Sequence, residues 1–122
     1  MTENISDDGK FNVGDIIYTS WGYDQTQYDF AQIVEVSKTR KTVVAQRMRT
    51  KTVDPSRRQS DGIVPTEAYG NKFRLYVREW RDEPTFRGQY PFVDGFHDSK
   101  RMGSFWPWDG KTVYETNSQF GH

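Results

Sequence analysis

The chain has 122 residues, of which 34% are hydrophobic and 16% aromatic, and its formal net charge is zero. A chain of this length suits one compact domain, and its core has to rest largely on aromatic rings. The absence of cysteine excludes disulfide bonds, thiolate metal sites and cysteine nucleophiles. No apolar run is long enough for a transmembrane helix, and the polar first ten residues lack the apolar segment of a signal peptide. We therefore expect a cytoplasmic protein with no membrane partner.

Charge is distributed unevenly along the chain. Residues 1–35 carry seven acidic side chains and one basic side chain, whereas residues 38–60 carry eight basic side chains and one acidic side chain. A basic segment of this kind can mark an anionic partner. Alternatively, the two segments face each other on neighbouring strands and neutralise one another. The sequence leaves both interpretations open.

The N-terminal part of the chain predicts a tail followed by an antiparallel meander. Residues 1–10 are polar and acidic, which predicts a disordered tail, and residues 11–122 are expected to form a single β domain. Short runs rich in β-branched and aromatic residues predict strands at Asp15–Thr19, Tyr28–Val36 and Thr42–Arg49. Their connections are short enough to require antiparallel neighbours, and closing such a meander into a small barrel removes its exposed edges.

Period-two alternation assigns side chains to the two faces of these strands. In the second strand, Ala31 and Ile33 share one face, while Phe30, Val34 and Val36 share the other. In the third strand, two sets of side chains alternate: Val44 and Met48 on one face, and Val43, Ala45, Arg47 and Arg49 on the other.

The middle of the chain predicts a long loop and then the clearest strand. Residues 50–65, rich in Pro, Ser and Arg, are expected to form a mobile loop. From Lys72 onwards, Phe73, Leu75 and Val77 alternate with Arg74, Tyr76 and Arg78, which is typical of a half-buried strand. A last short strand is expected at Thr112–Thr116. The predicted fold class is therefore mostly β, with little helix.

Residues for catalysis or metal binding are sparse. His97 beside Asp98 could act as a general base, but such a pair is more often a surface feature, and His122 is the last residue of the chain. Asp24 and Asp29 could serve acid–base chemistry, although aspartates in turns more often accept hydrogen bonds from the backbone. No nucleotide-binding or hydrolase motif occurs. We expect a protein that is not an enzyme and that has no cofactor and no metal.

The segment SWGYDQTQYDF at residues 20–30 and the segment WDGK at residues 108–111 support a resemblance. The chain resembles a family of small uncharacterised proteins encoded by phages and other mobile elements, which carry both boxes. The matching residues are Trp21, Gly22, Tyr23, Asp24, Gln25, Thr26, Asp29 and Phe30, then Trp108, Asp109, Gly110, Lys111, Tyr114 and Thr116. The resemblance implies a protein in the cytoplasm of the host cell and carries over no catalytic residue.

A second resemblance covers residues 13–48. The Gly-Asp entry, the aromatic-rich first loop and the tight hairpin are similar to small SH3-like barrels of the Tudor and KOW kind. This resemblance implies a small antiparallel SH3-like barrel, with the C-terminal segment packed on it, and ligand binding by aromatic residues of the loop.

Two functions are carried forward from these patterns. The first is a non-catalytic protein of a virus or mobile element that binds nucleic acid through phosphate contacts and base stacking; the candidate residues are Arg47, Arg49, Lys51, Arg57, Arg58, Tyr23 and Tyr28. The alternative is a protein-interaction module that inhibits a host enzyme or defence complex. A separate group is expected to close the barrel as a structural loop: Trp21, Asp24, Gln25, Thr26, Trp108 and Asp109. Whether the first loop is core or contact surface stays open, as do the partner and the oligomeric state.

Overall fold

Seven β-strands make up the regular structure of the described part of the chain. The computed structural model describes residues 11–21, 27–54, 60–80, 83–91 and 100–116. The strands are β1 (Ile16–Trp21), β2 (Gln27–Val36), β3 (Thr42–Asp54), β4 (Ser60–Trp80), β5 (Glu83–Pro91), β6 (Lys100–Pro107) and β7 (Val113–Thr116). No helix occurs within these ranges. The predicted mostly-β fold is therefore confirmed.

The first six strands close into an antiparallel barrel. Each of the strands β1 to β5 pairs with the next strand in the chain, and β6 pairs with β1 to complete the ring. The seventh strand lies outside the barrel, where it pairs with the first residues of β4 from Ser60 to Ile63. The structure thus confirms a small antiparallel barrel with the C-terminal segment packed on it.

Aromatic rings fill the inside of the barrel, as the composition predicts. Phe86, Tyr90 and Phe105 are fully buried, and the Tyr90 and Phe105 rings meet edge to face with their centroids 5.1 Å apart. Phe11, which precedes β1, packs edge to face on Phe86 and carries the Arg40 guanidinium over its ring. One end of the barrel is therefore plugged by the segment before β1.

A second, smaller core lies outside the barrel and takes its buried residues from β2, β3 and β4. Phe30, Met48 and Ile63 are buried there, and Trp108 meets Phe30 edge to face at 5.7 Å. Val113 of β7 packs against the same cluster. The far end of the β3–β4 hairpin and the C-terminal strand thus cover apolar side chains that the barrel cannot enclose.

Two sequence predictions need correction. The predicted loop over residues 50–65 is strand at both ends, since β3 runs to Asp54 and β4 begins at Ser60, with Thr50 paired to Pro65 and Thr52 to Ile63. β-branched residues on either side, among them Thr52, Val53 and Ile63, favour strand. Residues 55–59 of the predicted loop lie outside the described residues. Val36 packs into the barrel instead of sharing a face with Phe30, because a β-bulge between Ile33 and Glu35 reverses the alternation. The predicted tail, residues 1–10, lies outside the described residues.

Candidate functional site

Three polar side chains meet inside the barrel, towards the end away from Phe11. Arg47 Nη2 donates to Asp29 Oδ1 at 2.8 Å, and the Tyr90 hydroxyl donates to Asp29 Oδ2 at 2.7 Å. Arg47 Nη1 also donates to the carbonyl oxygen of Pro91 at 3.1 Å. All three side chains are buried, and they come from β2, β3 and β5. We call this set the Asp29 clasp, because it joins three walls of the barrel.

Electrostatics in the clasp are dominated by burial. Burial raises the pKa of Asp29, although the Arg47 charge and the hydrogen bond from Tyr90 act in the opposite direction. Burial also raises the pKa of Tyr90, and the neighbouring Asp29 charge raises it further. A buried carboxyl with a raised pKa is a candidate proton donor in enzymes. Here both of its oxygens are engaged by side chains of the same protein, so the arrangement favours a structural role.

A cleft opens beside the clasp because β1 and β6 diverge. Their ladder covers the pairs Ile17–Pro107 and Tyr18–Trp106, whereas β1 continues to Trp21 and β6 starts at Lys100. The resulting space of about 280 Å³, the β1–β6 cleft, is lined by Thr19, Ser20, Trp21, Arg87, Tyr90, Arg101, Met102, Gly103, Ser104 and Trp106. The closed barrel therefore has a seam at which arginine and tryptophan side chains reach the solvent.

Two glycines, Gly88 in β5 and Gly103 in β6, allow the residues next to them to pack closely. A Cβ on Gly103 would lie 2.8 Å from Tyr90 Cε1, and a Cβ on Gly88 would lie 2.7 Å from the carbonyl oxygen of Arg74. Both separations are far below ordinary contact distances, so side chains at these positions would displace their neighbours. Gly103 in particular leaves the room in which the Tyr90 ring reaches Asp29.

The outer face of β4, β5 and β6 is basic and carries an exposed ring. Arg74, Arg78 and Arg87 are exposed there around Tyr76, which has 58% of its surface accessible. These side chains, with Gly88, Gln89 and Met102, line a shallow hollow of about 420 Å³. We call this surface the arginine face. Within the described residues, no carboxylate pairs with its three arginines.

The residues predicted to bind nucleic acid are dispersed in the structure. Arg47 is 9% exposed and held in the clasp, so its guanidinium is not offered to a phosphate; we correct its assignment accordingly. Arg49 is exposed, lies 3.4 Å from Glu67 and stacks over Tyr69, while Lys51 is exposed two residues further along β3. Tyr28 is half-buried against Tyr18 in the second core. Tyr23, Arg57 and Arg58 lie outside the described residues.

The predicted loop residues that the structure describes make internal contacts. Trp21 is half-buried beneath the Arg101 guanidinium, which lies 5.4 Å from its ring centroid. Trp108 Nε1 donates to the carbonyl oxygen of Lys111, and Asp109 Oδ1 accepts from the Lys111 backbone N–H. These bonds close the turn between β6 and β7. Asp24, Gln25 and Thr26 lie outside the described residues, as do His97, Asp98 and His122.

The sequence did not single out the arginine face or Arg101. The outward alternation of Arg74, Tyr76 and Arg78 was visible, but it indicated only a solvated strand face. What concentrates the charge is the pairing of β4 with β5, which places Tyr76 opposite Arg87. That register depends on long-range pairing, and no local pattern reports it.

Comparisons with protein-family models, with curated proteins and with solved structures find no match to this chain. In the described part of the chain, no three His, Asp or Glu side chains gather as a metal site would require. The same residues contain no helix that is long and apolar enough to cross a membrane.

Proposed function

We propose that this protein is a small, non-catalytic binding protein that binds nucleic acid on the arginine face. The observation that carries the proposal is the set of three exposed arginines, unpaired by any described carboxylate, around an exposed tyrosine. Arginine side chains contact phosphates, and exposed rings stack on bases. We retain the proposal, from the resemblance, that the protein belongs to a virus or mobile element and acts in the host cytoplasm.

The shape of the arginine face fits an extended chain. It spans three strands, hence about 10 Å across the sheet, and its hollow is open to solvent over Tyr76 and Met102, which is 51% exposed. Rigid strands hold the arginines at fixed spacing, which limits the backbone entropy lost on binding. The face therefore offers a preformed, positively charged track.

The test is a titration of labelled single strands and duplexes, in DNA and RNA, at increasing salt. If three arginines contact phosphates of a single strand, the logarithm of the affinity should fall with a slope of about −2, or about 20-fold between 50 and 200 mM salt. The double variant Arg74→Gln/Arg87→Gln should remove most of that salt dependence. The matched control is Arg49→Gln/Lys51→Gln, which removes the same charge from the far half of β3.

The outcomes separate the surfaces. A loss of affinity and salt dependence that is confined to the first double variant supports the arginine face. A loss confined to the second double variant supports instead the basic segment, residues 38–60, that was expected from sequence. If no nucleic acid binds at low salt, the proposal is wrong, and the protein-interaction module becomes the leading alternative. Tyr76→Leu should weaken single-strand binding about fivefold or more, because base stacking on one ring contributes about 1–3 kcal/mol.

A further inference from the structure

We propose that the β1–β6 cleft holds one unstacked base of a single strand whose backbone follows the arginine face. This inference rests on the proposed function and names its ligand class as single-stranded nucleic acid. It starts from the side chains that line the cleft, which combine two indole rings, Trp21 and Trp106, with two guanidinium groups, Arg87 and Arg101. Aromatic rings and arginines together are what an unstacked base and its phosphate require.

The interior of the cleft suits a flat, polar ring. The Arg101 guanidinium lies over the Trp21 ring at 5.4 Å, so it covers this face of the indole, and a base in the cleft would stack on the guanidinium plane. The Ser104 hydroxyl, which accepts a hydrogen bond from Arg87 at 2.7 Å, and the Thr19 side chain also line the space. Hydroxyl groups of this kind can donate to or accept from the edge of a base.

The cleft is large enough for a base. It has a volume of about 280 Å³, and a cavity of about 150 Å³ is enough to hold benzene. One purine or pyrimidine ring system therefore fits. The sugar and phosphate of that nucleotide would remain at the rim, near Arg87 and Arg101.

The cleft and the arginine face are continuous. Arg87 and Met102 line both spaces, and none of the described residues that line either space is acidic. A chain that crosses β4 and β5 over Tyr76 thus reaches the mouth of the cleft along an uninterrupted basic path. In a duplex the bases are stacked and paired, and placing one in a pocket costs a few kcal/mol of unstacking. A single strand does not pay the pairing part of that cost.

The experiment is an abasic scan of a single strand of about eight nucleotides. Each oligonucleotide lacks one base but keeps every phosphate, so its charge is unchanged. If one base occupies the cleft, removing the base at one position should weaken binding about tenfold, and neighbouring positions should respond less. Trp21→Leu and Arg101→Gln should each weaken binding of the intact strand and reduce the effect of that abasic position. Lys111→Gln, which removes an exposed charge from the β6–β7 turn, is the matched control and should leave the scan unchanged.

The outcomes distinguish this inference from the proposed function. If the strand binds with the expected salt dependence but the scan is flat, the cleft proposal is wrong and the arginine face stands. A position effect that persists in Arg101→Gln and Trp21→Leu also overturns it, because the base would then be held elsewhere. If no strand binds, the proposed function itself fails. If Trp21→Leu does not fold, Arg101→Gln alone tests the proposal. Because Arg101 is exposed, we expect that variant to fold.

Discussion

Replacing Arg47 with methionine tests whether this residue is part of the core or a contact to nucleic acid. Methionine keeps much of the length and the apolar character of the side chain, but it removes the guanidinium that donates to Asp29 at 2.8 Å and to the Pro91 carbonyl oxygen at 3.1 Å. The variant therefore leaves a buried carboxyl without its cationic partner. The same strand provides a matched control in Arg49→Met, because the Arg49 side chain is 56% exposed and its ion pair with Glu67 measures 3.4 Å.

The expected magnitudes of the two changes differ several-fold. Unit charges about 4 Å apart attract by about 4 kcal/mol at an effective dielectric constant near 20, and desolvation offsets part of this in the wild type. When one partner of a buried ion pair is removed, the attraction is lost but the remaining charge still lies away from water. The free energy of unfolding then falls by about 3–5 kcal/mol. An exposed pair such as Arg49 and Glu67 contributes at most about 1 kcal/mol. We therefore expect Arg47→Met to destabilise the fold by about 4 kcal/mol and Arg49→Met by less than 1 kcal/mol.

Urea unfolding at neutral pH, followed by tryptophan fluorescence, measures both values. With a denaturant slope of about 1.5 kcal/mol per molar, the unfolding midpoint should fall by about 2–3 M for Arg47→Met and by less than about 0.7 M for Arg49→Met. Because small domains have about 5–15 kcal/mol of total stability, the loss is large enough to measure. Equal midpoints for the two variants would refute the clasp. A normal midpoint combined with weaker nucleic-acid binding in Arg47→Met would return Arg47 to the interface.

Three further predictions concern the clasp and the second core. Gly103→Ala should destabilise the fold by about 1–3 kcal/mol, measured by urea unfolding, because its methyl group would lie 2.8 Å from the Tyr90 ring. Tyr90→Phe should cost about 1–3 kcal/mol at neutral pH by leaving one Asp29 oxygen without its donor. Since burial raises the pKa of Tyr90 in the folded state, wild-type stability should fall as pH rises above about 10, and this fall should be smaller in Tyr90→Phe, as alkaline unfolding curves would show. Trp108→Ala should lower the free energy of unfolding by about 1–3 kcal/mol through lost contact with Phe30, and an unchanged thermal midpoint would argue against the second core.

Local alternation was enough to predict most of the barrel wall, but the clasp was not predicted. It assigned Arg47 to the same face as Val43 and Ala45, and those two residues are fully buried. A charged residue in line with buried aliphatic side chains indicates a buried ion pair. The sequence analysis nevertheless assigned Arg47 to a phosphate contact, because the charge of the whole 38–60 segment outweighed the position of one residue. Facing direction was the better guide for Arg47, whereas Arg49, which the same alternation assigned to that face, is exposed.

Features that depend on pairing between distant strands were out of reach. The bulge after Ile33 moves Val36 inward, and a period-two pattern cannot anticipate an extra residue. The outer half of the β3–β4 hairpin is ordered by contacts of Ile63 with Met48 across the hairpin and with Phe30 of β2, which lies much earlier in the chain. The cleft exists because β1 and β6 diverge after two residue pairs. Barrel closure sets that divergence, and neither strand carries a local sign of it.

The weak seam and the strong clasp lie at the same end of the barrel, and this arrangement has a physical rationale. At the seam, β1 and β6 pair at two positions only. The missing backbone hydrogen bonds between these two strands cost stability. The clasp compensates on the strands that flank the seam, because a single carboxyl links β2, which neighbours β1, with β5, which neighbours β6, and with β3 through Arg47 and Tyr90. Tyr90 belongs to both features, since it also lines the cleft. The same end of the fold can thus remain open to a ligand because a buried polar network holds the remaining strands together.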